Sequence, residues 1–117
     1  SPGADHMYVR CGYFIGQPVA GKKAELDAQL HGIVELYRRF PRIRWANMLV
    51  ADEVDEGTPA IYATIQFCFD SKQDLEAALA TPVRQELRTQ YANAVLPLFE
   101  GTIKHANQTV THMAMPG

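Results

Sequence analysis

The first segment of the chain alternates between two rows of β-forming residues. From residue 8 to residue 16 the rows are Val9, Cys11, Tyr13 and Ile15 on one side and Tyr8, Arg10, Gly12 and Phe14 on the other. Side chains of a strand point alternately to its two faces, so this period of two predicts a first strand. Pro18 and Gly21 then end the pattern.

A helical period follows the first strand. Apolar residues recur at intervals of three and four positions, at Leu26, Leu30, Ile33, Val34 and Tyr37. This spacing predicts an amphipathic helix with one buried stripe. The basic pair at positions 38 and 39 suits the negative end of the helix dipole, and the proline at position 41 ends the helix.

Two more strands are predicted on either side of a polar, acidic turn. Residues 42–54 alternate, and one of their sides carries Ile43, Trp45, Asn47 and Leu49. Residues 60–69 have a continuous apolar row at the odd positions, opposite a second row of Tyr62, Thr64, Gln66 and Cys68. Such an apolar row is typical of a central strand with one covered face.

The second helical region contains two start signals. Ser71 is predicted to cap one helix, with Asp74 at its third position. Thr81 is predicted to cap another helix, in which Pro82 is the first residue. The apolar stripe of this second helix comprises Val83, Leu87, Tyr91, Ala94, Val95 and Phe99. Residues 101–113, rich in threonine, form the last predicted strand.

The predicted element order is therefore βαββαβ with a broken second helix. This order is typical of the α+β ferredoxin-like fold, a four-stranded antiparallel sheet with both helices on one face. The other face of the sheet would remain uncovered, and a large semi-apolar face is uncommon on a monomer. We therefore expect a homodimer that pairs sheet to sheet as a dimeric α/β barrel.

Composition and charge limit the classes of partner. The 117 residues suit one domain, of which 47% are hydrophobic and 21% charged, as in an ordinary globular protein. The formal net charge of −2 offers no basic patch to a nucleic-acid backbone. No apolar run reaches the roughly 20 residues of a membrane-spanning helix. We expect no nucleic-acid partner, no membrane partner and a cytoplasmic location.

The domain boundaries follow from the N-terminus. Residues 1–6 resemble an expression-tag remnant, since positions 6 and 7 form the His-Met dipeptide of a common cloning site, and we exclude His6 from the chemistry. Residues 7–117 then form the single predicted domain. Cys11 and Cys68 lie inside predicted strands without metal-ligand spacing, so we expect buried and unpaired thiols.

Two segments resemble a known family. The segment LHGIVELYRRFPRIRW, residues 30–45, is similar to the H-x-P-L-V and P-G-(L/V)-R pattern of the EthD-like proteins of the dimeric α/β-barrel group. The segment FDSKQDLEAALATPVRQEL, residues 69–87, is similar to that family's F-D-S-x-x-x-L-x-x-A-L-x-S-P pattern. The chain has Pro41-Arg42 where the family has Pro-Gly. With matching spacing to the flanking strands, the resemblance covers residues 8–111.

The resemblance implies a function in broad terms. Proteins of this group occur beside enzymes of ether, lactone and aromatic degradation, and they include a cofactor-free muconolactone isomerase and domains that act on polyketide-derived rings. The resemblance thus implies an enzyme that needs no cofactor and performs proton-transfer chemistry of the isomerase, dehydratase or decarboxylase type on a hydrophobic oxygenated ring compound. A cofactor-free monooxygenase and a non-catalytic ligand-binding or accessory dimer are the alternatives, because a fold does not determine a function.

His31 is the candidate catalytic residue, because it matches the histidine of the family pattern. On a helical wheel it lies roughly 120° from the centre of the apolar stripe, a shoulder position from which an imidazole can reach a cavity and transfer a proton. Tyr13, Trp45 and Asn47 are candidates for an aromatic wall and an amide that holds a carbonyl. His105 is a further candidate for a binding residue.

The remaining polar residues have simpler interpretations. Arg10 and Gln66 suit either a substrate carboxylate or the dimer interface, and we favour the interface. His105 and His112 are seven residues apart, so they point to opposite faces of a strand and do not form a pair. No motif has the spacing of a metal site, a phosphate loop or a nucleophile elbow, which disfavours metals, nucleotide cofactors and covalent serine chemistry.

Overall fold

The computed structural model describes residues 7–117, so the segment 1–6 interpreted as a tag remnant lies outside the described residues. The described part forms four strands and three helices: β1 Tyr8–Pro18, α1 Lys23–Leu36, β2 Trp45–Val50, β3 Ile61–Phe69, α2 Lys72–Leu79, α3 Pro82–Gln90 and β4 Phe99–Thr109. A 3₁₀ turn, Tyr37–Arg39, follows α1. A π-helical turn, Tyr91–Val95, and a 3₁₀ turn, Leu96–Leu98, follow α3.

The four strands form one antiparallel sheet in the order β2, β3, β1, β4. Arg10 of β1 pairs with Phe67 of β3 on one side and with Asn107 of β4 on the other. This order is that of a ferredoxin-like fold, in which the two edge strands follow the two helical regions. The predicted α+β fold class is confirmed.

The helices cover one face of the sheet. The core lies between this face and the apolar stripe of α1, and its fully buried side chains include Phe14, Ile65, Phe69, Leu26, Leu30 and Ile33. Burying one such side chain contributes about 1.5–3 kcal/mol. The apolar rows of the strands, which have a period of two, therefore pack against the apolar stripe of α1, which has a period near 3.6, in one hydrophobic layer.

The ends of some elements differ from the prediction. Ser71 Oγ accepts a hydrogen bond from the backbone N–H of Asp74 at 3.1 Å, as expected of a cap. Thr81 does not cap α3, because its hydroxyl donates instead to the carbonyl oxygen of Ala78 at 2.6 Å. Phe99, predicted to continue the helical stripe, begins β4, since the preceding proline-containing turn ends the helix.

A bulge changes the orientation of Tyr62. Phe14 pairs with Ala63, but the residue after Phe14 pairs with Ile61, which leaves Tyr62 as the additional residue of β3. A bulge disrupts the alternation of side chains. Tyr62 consequently packs against the core, and its hydroxyl donates to the carboxylate of Asp27 on α1. The prediction that Tyr62 lies on the face opposite the helices is wrong.

We call the face opposite the helices the outer face of the sheet; it carries Val9, Cys11, Tyr13 and Ile15 of β1, Thr64, Gln66 and Cys68 of β3, and Trp45, Asn47 and Leu49 of β2. Both cysteines are free and buried, as predicted. Trp45 is 40% exposed and Leu49 is 50% exposed. Among residues 7–117, no helix combines the length and the apolar character needed to cross a membrane.

Candidate functional site

A cavity of about 380 Å³ lies between the helices and the sheet, and we call it the helix–sheet cavity. Its apolar lining consists of Phe40, Phe67, Leu79, Leu87, Leu96 and Ile103. Its polar lining consists of Arg10, Tyr37, Arg84, Arg88, Tyr91 and His105. A mostly apolar wall with a few convergent polar groups is the usual form of a small-molecule site, and this volume lies in the usual range.

An aromatic stack forms one wall of the helix–sheet cavity. The ring of Tyr37, in the turn after α1, stacks on Phe67 of β3 with 4.7 Å between the ring centroids. Phe40 stacks against both rings at 5.9 Å. Stacked rings are rigid and present a flat apolar surface, so this wall suits a flat or cyclic ligand.

Two tyrosine hydroxyls meet at this wall. The hydroxyl oxygens of Tyr37 and Tyr91 lie 2.8 Å apart and share a hydrogen bond. Tyr91 belongs to the π-helical turn after α3, where the wider turn alters the direction of side chains. Burial raises the pKa of Tyr37 to about 12 and raises the pKa of Tyr91 well above its ordinary value. Both phenols are therefore neutral donors near pH 7.

The imidazole of His105 extends across the sheet from β4. His105 pairs with Gly12 of β1, and a Cβ atom at Gly12 would lie 3.4 Å from both Cδ2 and Nε2 of the imidazole. The missing side chain at Gly12 thus leaves the space in which the ring lies. Burial, followed by the positive charges of Arg10 and Arg84, lowers the pKa of His105. A neutral imidazole of this kind can accept a proton near pH 7.

Arg10 lies on the covered face of the sheet. Its partner in β3 is the buried Phe67, and its side chain lines the helix–sheet cavity, where Nη1 donates to Oδ1 of Asn107 at 2.9 Å. Because the even positions of β1 face the helices, Arg10 lies on the face opposite the one through which we expect two copies to pair. Gln66 lies on the outer face, where its amide nitrogen contacts the sulfur of Cys11 at 3.7 Å.

The predicted site residues lie in three different places. His105 lines the helix–sheet cavity. His31 is exposed on α1 and is not part of the cavity lining. Tyr13 and Asn47 lie on the outer face, and Trp45 borders a shallow groove between the end of α1 and β2. The structure therefore separates His31, His105 and the three candidates of the outer face, and it does not bring the five predicted residues to one site.

Sequence reasoning missed the two tyrosines. Tyr37 and Tyr91 occupy apolar stripe positions of their helices, so their rings were interpreted as core. The residue that could have indicated these tyrosines is Arg10. It lies four residues before the buried Phe14 and therefore on the same face of β1. A charged residue on the covered face requires polar partners or solvent, and the stripe tyrosines facing that row are the nearest source of hydroxyl groups.

The polar groups of the cavity can support one kind of chemistry. The tyrosine pair can donate to a carbonyl oxygen, the guanidinium of Arg10 can stabilise negative charge on that oxygen, and the imidazole of His105 can exchange a proton with the ligand. Within the described residues, no group of three or more histidine, cysteine, aspartate or glutamate side chains has the arrangement of a metal site.

The fold and the cavity define a small ferredoxin-like α+β protein with a cavity between its helices and its sheet. No family model matches the chain, and neither does any curated protein. Solved structures do match its fold. An ethyl tert-butyl ether D (EthD) family protein from Bacillus halodurans C-125 has a TM-score of 0.65 at 15% identity, covering 86% of this chain and 96% of that chain.

Two similar structures are enzymes. Hydroxynitrile lyase from Passiflora edulis has a TM-score of 0.69 at 12% identity, covering 96% of this chain and 99% of that one. SnoaB from Streptomyces nogalater, a cofactor-independent oxygenase, has a TM-score of 0.64 at 18% identity, covering 92% and 96%. Two other matches are described as dimeric ferredoxin-like proteins of unknown function. At these identities the similarity establishes the fold, and the expected resemblance to EthD-family proteins is confirmed at that level.

Proposed function

We propose that the protein is a cofactor-independent enzyme that transfers protons on a small, hydrophobic, oxygenated ring compound bound in the helix–sheet cavity. The observation that carries this proposal is the hydrogen-bonded pair of Tyr37 and Tyr91 hydroxyls beside a stacked aromatic wall. Isomerisation, dehydration and decarboxylation of such compounds share an enol or enolate intermediate, and the cavity supplies donors for its oxygen.

Each polar residue has a separate role in this proposal. The neutral imidazole of His105 removes a proton from the carbon next to a carbonyl group and returns it to a different atom of the same compound. Tyr91, hydrogen-bonded to Tyr37, donates to the carbonyl oxygen. Arg10 stabilises the negative charge that develops there, since a guanidinium in an apolar cavity interacts more strongly with an anion than it does in water.

This assignment differs from the expectation for His31. Both residues are exposed, but His31 lies outside the cavity lining, whereas His105 is part of that lining. We therefore propose His105 as the proton acceptor, and comparison of His31→Ala with His105→Ala decides between them. Replacing the true acid–base group lowers the rate about 10²-fold or more, whereas the other variant keeps the wild-type rate within a few-fold.

The test uses proton exchange, which requires no knowledge of the net reaction. A panel of unsaturated lactones, cyclic ketones and phenols is incubated with the protein in D₂O, and NMR measures the exchange of carbon-bound protons. We expect catalysed exchange that is lost in His105→Ala and reduced in Tyr91→Phe. Exchange that survives His105→Ala and is lost in His31→Ala would return the catalytic role to His31.

Two other outcomes support the alternative functions. Binding in the cavity without exchange, turnover or oxygen uptake supports a non-catalytic ligand-binding dimer. Consumption of dioxygen by the protein and an electron-rich phenol supports a cofactor-free monooxygenase, the alternative favoured by the similarity in fold to SnoaB. An oxygen electrode and NMR on the same samples distinguish the three functions.

We also propose that two copies pair through the outer face of the sheet. Trp45 and Leu49 are 40% and 50% exposed on this face, and single folded domains usually avoid such apolar exposure in one patch. Sedimentation is expected to give a dimer at micromolar concentration. Leu49→Glu places a charge in the interface and is expected to give a monomer, while the exposed substitution Gln73→Glu on α2 leaves the dimer intact.

A further inference from the structure

Three arginines meet at the helix–sheet cavity. Arg10 comes from β1, and Arg84 and Arg88 lie one turn apart on α3, so both helical arginines are on the same side of that helix. All three line the cavity, and among residues 7–117 no aspartate or glutamate lines it. The cavity is therefore strongly positive, although the whole chain has a formal net charge of −2.

These arginines differ from the other arginines of the chain. The other four arginines each form an ion pair with a carboxylate; they are Arg38, Arg39, Arg42 and Arg44. Within residues 7–117, none of the three cavity arginines has a carboxylate oxygen within 4.0 Å; Arg10 donates only to the neutral amide of Asn107. Guanidinium groups in partly buried positions are usually paired.

We infer that the ligand of the helix–sheet cavity is a cyclic carboxylic acid, whose carboxylate is held by Arg84 and Arg88, which leaves Arg10 for the reacting carbonyl oxygen, and whose ring lies against the stacked wall of Tyr37, Phe40 and Phe67. This inference rests on the proposed function of the cavity and names its substrate class. A carboxylate is planar and accepts two parallel hydrogen bonds from one guanidinium, and the apolar lining leaves a flat surface for the ring.

The electrostatics of the cavity agree with this assignment. Burial and the nearby charges of Arg84 and Arg88 lower the pKa of Arg10, and burial and the charges of Arg10 and Arg84 lower the pKa of His105. Burial is the larger cause of both shifts, and the neighbouring arginine charges add to it. A bound carboxylate offsets this charge, so binding is expected to raise the pKa of His105.

The ligand class can be tested with matched acids and amides. Benzoate, salicylate and 1-naphthoate are compared with benzamide, salicylamide and 1-naphthamide by calorimetry and by NMR of the full chain. We expect the acids to bind at least about tenfold more tightly than their amides, because charge-assisted hydrogen bonds are stronger than neutral ones. Acid binding should also raise the pKa of His105, measured from its imidazole resonances, and the amides should not.

Arginine variants locate the interaction. Arg84→Gln should weaken acid binding about tenfold and leave amide binding unchanged, and Arg84→Lys should recover part of the loss because it keeps the charge. The control is Arg38→Gln, an exposed arginine outside the cavity, which should change neither affinity. Thermal unfolding of each variant confirms that the fold is retained.

The outcomes separate this inference from the proposal on which it rests. Equal binding of acids and amides in the cavity, unaffected by Arg84→Gln, would overturn the carboxylate assignment and leave the ligand cavity in place. Failure of every compound to perturb the resonances of Tyr37, Tyr91 and His105 at millimolar concentration would overturn both. Preferential acid binding that persists in Arg84→Gln and is lost in Arg38→Gln would place the acid elsewhere and also refute the inference.

Discussion

The hydrogen bond between the hydroxyls of Tyr37 and Tyr91 can be measured with a double-mutant cycle. Tyr37→Phe and Tyr91→Phe each remove one hydroxyl and keep the ring, so the aromatic wall remains. Tyr37 is only 5% exposed, and in the described part of the chain its hydroxyl bonds to no group other than Tyr91. The two single variants therefore leave different groups without a partner.

The expected free energies follow from burial. Tyr91→Phe leaves the buried hydroxyl of Tyr37 unpaired, which costs about 1–3 kcal/mol. Tyr37→Phe leaves the hydroxyl of Tyr91 without its partner, and because burial also raises the pKa of Tyr91, this loss is expected to be of similar size, about 1–3 kcal/mol. The double variant removes both partners and should cost less than the sum of the single variants, by about 1 kcal/mol.

Urea denaturation of the four proteins, at one protein concentration, measures this coupling. Tyr8→Phe serves as the control, since Tyr8 has no side-chain hydrogen bond among residues 7–117, and its unfolding free energy should change by less than about 0.5 kcal/mol. A coupling energy below about 0.3 kcal/mol, the ordinary error of additivity, would show that the two hydroxyls do not stabilise each other.

Three other predictions concern the pKa of Tyr37, the glycine at position 101 and the contact between Gly12 and His105. Burial raises the pKa of Tyr37 to about 12, so the folded state keeps a proton that the unfolded state loses near pH 10, and stability should fall by roughly 2–3 kcal/mol between about pH 10 and 12. Urea midpoints measure this fall, which should be smaller in Tyr37→Phe; equal profiles would contradict it. Gly101 has φ +152°, and a Cβ there would lie 2.0 Å from a backbone oxygen of β1. Gly101→Ala should therefore lower the free energy of unfolding by about 3 kcal/mol or more, whereas Gly57→Ala, in open space, should lower it by about 1 kcal/mol. Similar losses in the two variants would refute the clash. Gly12→Val should displace the imidazole of His105 towards solvent and move its pKa back towards its ordinary value, and an NMR titration with an unchanged pKa would disprove the packing.

The fold could be predicted from the sequence because its signals are periodic. The apolar stripe of α1 and the alternation of β1 and β3 each extend over several repeats, and Ser71 caps α2 as expected. The prediction failed where a single residue breaks a period. Tyr62 is such a case, since the bulge depends on how β1 and β3 pair and not on the residues of β3 alone.

The turn before β2 shows how the resemblance and the structure agree. The family pattern has Pro-Gly where this chain has Pro41-Arg42, and Arg42 adopts φ +63°. Glycine reaches this left-handed conformation without steric cost, whereas arginine does not. Arg42 therefore adopts a conformation that suits glycine better than arginine, and its guanidinium pairs with Asp74 at 3.1 Å.

The candidate site was harder to predict because its residues are distributed over separate elements. Arg10, Tyr37, Tyr91 and His105 belong to two strands and two helical turns, and only tertiary packing brings them to one cavity. His31 had the stronger local signal, through its match to a family pattern and its position on the helix. A local pattern predicts the side of a helix, but it does not determine which side chains enclose a space.

The polar lining of the helix–sheet cavity is evidence for a ligand because the packing of a hydrophobic core does not require polar side chains. A ferredoxin-like sheet can bury its covered face with apolar residues alone, as β3 does from Ala63 to Phe69. At the corresponding position of β1 the chain places Arg10, which loses hydration there, and α3 adds two more arginines at the same cavity. Since packing alone would favour aliphatic side chains at these positions, the cost of gathering this charge is best explained by an anion that binds and offsets it.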